Sequence, residues 1–73
     1  MPDQEWVPVS SRNIDAVSYD KDSQTLSVRF NSGRTYSYAG VQANLVTEML
    51  QSPSVGRFFR ENIRGAYQEE ESW

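Results

Sequence analysis

The chain has 73 residues, no cysteine and no histidine, and its seven basic and ten acidic side chains give a formal charge of −3. That length supports one small domain, and the missing residue types exclude disulfides, thiolate metal sites, imidazole ligands and the usual general base. No apolar run approaches the roughly 20 residues of a membrane span, and the opening "MPDQEW" is acidic where a signal peptide is basic, so a soluble, cytoplasmic protein without membrane attachment is expected.

Residues 1–8 read as an N-terminal tail. "IDAVSYD" (14–20) then carries Val17 and Tyr19 on one face of a strand, with Ile14 in a different phase. "DKDSQ" is a polar turn. "TLSVRFN" (25–31) is the clearest strand, with Leu26, Val28 and Phe30 on one side and Ser27 and Arg29 on the other. "NSG" supplies a turn in which Gly33 takes positive φ without steric cost, and "RTYSYA" (34–39) is a third strand. Short connections make the three an antiparallel meander in sequence order.

The period changes after Gly40. Val41, Ala43, Leu45, Val46, Met49 and Leu50 fit a helix over 41–51, and their wide arc predicts cover on two sides, from the sheet and from another helix. Pro53 interrupts it. Ser54 is placed as N-cap of a second helix, "VGRFFRENIRGAY". There Val55, Phe58, Phe59, Ile63 and Ala66 share one side, Arg57, Arg60 and Arg64 fall opposite, and Gly65 marks the end. The expected fold is α+β, a three-stranded meander followed by two helices on one face (β-β-β-α-α). One domain spans 9–67, and 68–73 form an acidic tail in which "QEEES" reads as a solvated, frayed end.

Charge is unevenly spread. Asp3, Glu5, Glu69, Glu70 and Glu71 lie at the ends, so between Trp6 and Tyr67 seven bases face five acids, a balance of +2. The body of the domain is mildly basic. Its arginines, Arg57, Arg60 and Arg64 on one helix face with Arg29 and Arg34 from the strands, are of the type and spacing that meet phosphates.

Tyr36 and Tyr38 share a strand face, and two registers remain open for it. A three-residue loop at Asn31–Ser32–Gly33 puts Tyr36 opposite Val28 and Tyr38 opposite Leu26, in the core. A loop of two or four residues puts them across from Arg29 and Ser27 instead, as an exposed aromatic and basic surface suited to stacking bases. A small domain's need to bury its rings favours the core, with Ser10–Ser11 or the backbone near Ser54 as partner for a buried phenol.

Other groups point to no chemistry. "DKDSQT" begins like a calcium loop but has Thr25 in place of the mid-loop glycine and Asn31 in place of the closing glutamate. Ser10 and Ser11 have no histidine to activate them, and Lys21, the lone lysine, sits in another turn. No catalysis, metal or cofactor is expected.

The runs "VSSRNIDAVSYD", "TLSVRF.SG.TYSY..V" and "SPSVGRFFRENIRGAY" together resemble the KTSC domain, which is named for its place at the C-terminus of some lysyl-tRNA synthetases and also stands alone in small bacterial and phage proteins. The matching positions are Ser10, Ser11, Tyr19, Asp20, Tyr36, Tyr38, Ser54, Gly56, Phe58, Phe59, Ile63 and Tyr67, in order along nearly the whole chain. Gln42 replaces a common proline and Val55 a common lysine, which removes one phosphate contact. The resemblance implies a binding module kept in the company of RNA. The expected function is therefore a non-catalytic module for RNA, tRNA-like or otherwise phosphate-bearing, contacted by Arg29, Arg34, Arg57, Arg60 and Arg64. The alternative is a protein-interaction or homodimerising accessory module, using a strand edge, Trp6 or Trp73.

Overall fold

The computed structural model describes residues 6–71. Five strands, β1 (Val7–Pro8), β2 (Ile14–Asp20), β3 (Thr25–Phe30), β4 (Thr35–Tyr38) and β5 (Glu69–Glu71), form one antiparallel sheet in the order β1-β2-β3-β4-β5. Two helices, α1 (Ala43–Gln51) and α2 (Val55–Asn62), lie between β4 and β5 in the chain. No helix among the described residues is long and apolar enough to cross a membrane.

The three alternating segments are the central strands, as their periodicity predicts, but the three-stranded expectation is two strands short. The outer strands have two and three residues, too few for an alternation to show. Glu69–Glu71 is not a frayed end: its backbone pairs with Tyr36–Tyr38 and closes the edge of β4. The rest of the expected tails, residues 1–5 and 72–73 with Trp73, lies outside the described residues.

The hairpin settles the tyrosine register. Phe30 N–H donates to Arg34 O (2.8 Å) and Gly33 N–H to Phe30 O (2.9 Å), enclosing a three-residue loop in which Gly33 has φ +98°. Val28 then faces Tyr36, and Leu26 faces Tyr38. Both rings lie on the face of Val17, Leu26 and Val28, which the helices cover. The odd phase of Ile14 also has a cause: the register shifts between Ile14 and Ala16, so Asp15 bulges and both neighbours stay buried.

The first helix starts later than its pattern suggests. Val41 remains extended and buried, its N–H donating to Gln24 O at 2.9 Å, and the Tyr19 hydroxyl donates to Val41 O. Of the wide apolar arc, Val46 and Met49 join the core and Leu45 packs against it, while Ala43 and Leu50 are exposed, so the cover from α2 and the sheet is incomplete. In α2, Val55 and Phe59 are buried, Ile63 follows at the C-terminal end, and Phe58 is half-buried. Ala66 is exposed, because the helix has ended before it and Gly65 turns the chain with φ +83°. Ser54 holds the N-cap position but its hydroxyl caps nothing; Ser52 Oγ instead accepts Ser54 N–H and donates to Ser54 O. Phe59 meets Tyr38 and Phe30 edge to face, with centroids 5.4 and 5.7 Å apart.

Candidate nucleic-acid interface

Local rules place most of the recurring polar residues in structural roles. Ser11 Oγ accepts the N–H groups of Asn13 (3.3 Å) and Ile14 (3.4 Å) and so shapes the turn into β2. Asp20 Oδ1 accepts the N–H of Asp22 at 3.0 Å, an Asx turn that accounts for the polar "DKDSQ" segment. Tyr19 ties the end of β2 to the chain entering α1, and its phenol pKa is raised, first by burial and then by the Asp20 charge.

Between α2, the β3–β4 hairpin and the turn before β2 opens a cavity of about 470 Å³. Its inner wall is aromatic: Phe30, Tyr36, Tyr38 and Phe59 all reach it, with Phe30 and Tyr36 edge to face at 5.8 Å. Its lining also carries four arginines: Arg12 from the turn before β2, Arg34 from the start of β4, and Arg60 and Arg64 from α2 and its end. Glu69 of β5 adds one carboxylate.

Each arginine arrives for a definite reason. Arg60 lies on α2, whereas Arg64 stands two residues beyond its end in a bridge to Tyr67, so the expected single helix stripe of Arg57, Arg60 and Arg64 does not form; all four cavity arginines are exposed. The Arg12 turn is clamped to the hairpin, since Asn31 Nδ2 donates to Arg12 O (2.6 Å) and Asn31 N–H to Asn13 O (2.8 Å). Arg34 has its pKa raised, first by a hydrogen bond to the Tyr36 hydroxyl and then by the Glu71 charge. Arg12, Arg60 and Arg64 make no ion pair with any described residue.

The five arginines singled out from the sequence thus divide. Arg34, Arg60 and Arg64 come together. Arg57 does not join them: it pairs with Glu61 one turn along α2 at 3.1 Å, beside a separate shallow recess near Pro53. Arg29 is on the far face of the sheet, bonded to Asp15 at 2.9 Å and stacked over the half-buried Trp6 ring at 4.8 Å. Arg12, by contrast, carries no signal in its local sequence, because its place depends on a contact made across the fold.

The tyrosines divide as well. Tyr38 is buried to 1 % exposure, and its hydroxyl donates to Glu69 Oε1 at 3.0 Å, not to the serine pair or the Ser54 backbone. Burial first, and that bond second, hold its pKa well above the usual phenol range. Tyr36 is half-buried and forms cavity wall. The site combines unpaired cations with aromatic surface, which is chemistry for holding an anion beside a planar ring.

Comparison with known proteins agrees with the arrangement of the chain. A family model described as the KTSC domain matches residues 10–67. The crystal structure of a KTSC domain protein from Yersinia pestis superposes with a TM-score of 0.92 at 31% identity, covering 97% of this chain and 100% of that one. An uncharacterized protein of Stutzerimonas stutzeri is 34% identical over 55 residues, 75% of this chain and 78% of its own length. A lysine–tRNA ligase of a Nostoc species is 34% identical over 58 residues, and there the matching stretch is only 10% of the longer protein.

Proposed function

This chain belongs to the KTSC domain family, and on that premise we propose that it is a small, non-catalytic module that binds RNA through the cavity between α2 and β4. The observation that carries this reading is the gathering of four arginines on an aromatic wall, with Glu69 in the lining and Glu71 near enough to act on Arg34. Guanidinium groups bond phosphate oxygens in pairs, and aromatic faces stack bases without regard to sequence. A relative named for a tRNA substrate carries the same domain within its length, which supports RNA as the polymer.

The rival reading, a protein partner paired along a strand edge, draws less support from the sheet. One edge is two residues long and contains Pro8, and the other is Glu69–Glu71. Short edges with proline or charge discourage strand addition.

Fluorescence anisotropy with labelled single-stranded RNA and with tRNA, repeated across salt concentrations, tests the proposal. Saturable binding that weakens as salt rises supports it. Absence of binding to either RNA at low salt, with a protein partner retained after nuclease treatment, overturns it.

A further inference from the structure

We infer that the cavity takes one nucleotide bearing a terminal phosphate, and not a run of polymer backbone. This rests on the RNA reading above and narrows it. A volume of about 470 Å³ falls within the roughly 300–1,000 Å³ that enclose a single small ligand. The arginines approach from three separate parts of the chain: the turn before β2, the start of β4, and α2 with its end. Groups that reach one cavity from separate segments surround an anion held there, whereas a backbone track draws on a continuous row along one element.

Charge points the same way. Four arginines against Glu69 leave the lining itself with an excess of three positive charges, offset in part where Glu71 acts on Arg34. A terminal phosphate monoester brings about −1.5 to −2 at neutral pH, whereas each internal diester brings only about −1. The monoester is the better match for so concentrated an excess.

Beyond the cavity the surface offers an extended strand little. Arg29 and Arg57 are already held by Asp15 and Glu61, and Lys21 sits between Asp20 and Asp22. A backbone leaving along the open edge of the sheet meets Glu69, Glu70 and Glu71. Among the described residues, the cavity is where several arginines stand together without ion-pair partners. Beside them, Phe30 and Tyr36 are half-buried and border the cavity, which leaves ring surface for one base.

The shared chemistry, a nucleoside with a terminal phosphate, occurs at the end of an RNA strand and in a free mononucleotide. Both sources are tested with RNA oligomers of one sequence and increasing length, phosphorylated at the 5′ end, at the 3′ end or at neither, alongside a free 5′-mononucleotide. The expected result is at least about tenfold tighter binding for one phosphorylated end than for the unphosphorylated oligomer, with affinity nearly independent of length. The R60Q/R64Q double variant, confirmed folded by circular dichroism, should erase that difference. Tighter binding of the phosphorylated oligomer than of the mononucleotide assigns the site to strand ends, and equal binding assigns it to the nucleotide itself. If phosphorylated and unphosphorylated ends bind equally and affinity climbs with length, the inference fails while the RNA reading stands. If the mononucleotide binds and no oligomer does, the inference holds and the RNA reading fails. If nothing binds, both fail.

Discussion

Ser11 Oγ lies 2.8 Å from the point where a β-carbon on Gly56 would stand. That contact joins the turn carrying Arg12 to the helix carrying Arg60, so it sets the spacing of two cavity walls. Ser11 of the serine pair and Gly56 of the Ser-x-Gly run therefore act through position: the glycine is there because α2 approaches a hydroxyl already committed to two backbone N–H groups.

Gly56→Ala should destabilise the domain by about 1–2 kcal/mol. Overpacking costs roughly 1–3 kcal/mol, and the better helix propensity of alanine returns up to about 1 kcal/mol. Because the clash involves one atom, Ser11→Ala should relieve part of it. Urea denaturation of both single variants and the double variant then gives a non-additive cycle. Strict additivity would mean that the two residues do not press on one another.

Phe59→Ala should cost about 3–5 kcal/mol. Phe59 is 2 % exposed and supports Phe30 and Tyr38 edge to face, and a domain of this size has only a few kcal/mol of net stability to lose. Chemical denaturation monitored by circular dichroism measures it. A loss under about 1 kcal/mol would place the ring at the surface.

Alkaline pH should weaken the fold through its phenols. Tyr38 and Tyr19 both have pKa values raised from the ordinary 10.0, chiefly by burial. The folded state therefore keeps protons that the unfolded chain releases near pH 10. Their contribution is fully present below that pH and declines above it, by at most about 1.4 kcal/mol per pH unit for each phenol. Tyr38→Phe should cost about 1 kcal/mol at neutral pH, by losing the bond to Glu69, and should reduce the alkaline slope. Unfolding free energies measured on either side of pH 10 test both statements; an unchanged slope in the variant would contradict the assignment.

Alternation and helical period were enough to find β2, β3, β4, both helices and the exposed Arg57 and Arg60 of α2, because each rests on burial within one element, while Arg64, expected on the same helix face, lies past its end. The displaced phase of Ile14 even foreshadowed the bulge at Asp15. What escaped depends on contacts across the fold. Val7–Pro8 and Glu69–Glu71 become strands only because β2 and β4 offer them open edges. Arg12 joins Arg60 only through Ser11, Gly56 and Asn31. Arg29 stands apart because strand alternation puts it on the face away from Val28, where it pairs with Asp15, and the Arg57–Glu61 pair has the i,i+4 spacing of a helix ion pair.

As proposed, anion binding resides in the cavity arginines and not in basic residues generally. Anisotropy titrations of R60Q/R64Q and R29Q/R57Q against one labelled RNA at fixed low salt separate the two. Each double variant removes two positive charges, so a purely net-charge effect weakens both equally. R60Q/R64Q should lose at least about tenfold in affinity, and R29Q/R57Q, whose arginines lie outside the cavity beside Asp15 and Glu61, should lose distinctly less. Equal losses in the two variants, or a greater loss in R29Q/R57Q, would contradict that proposal.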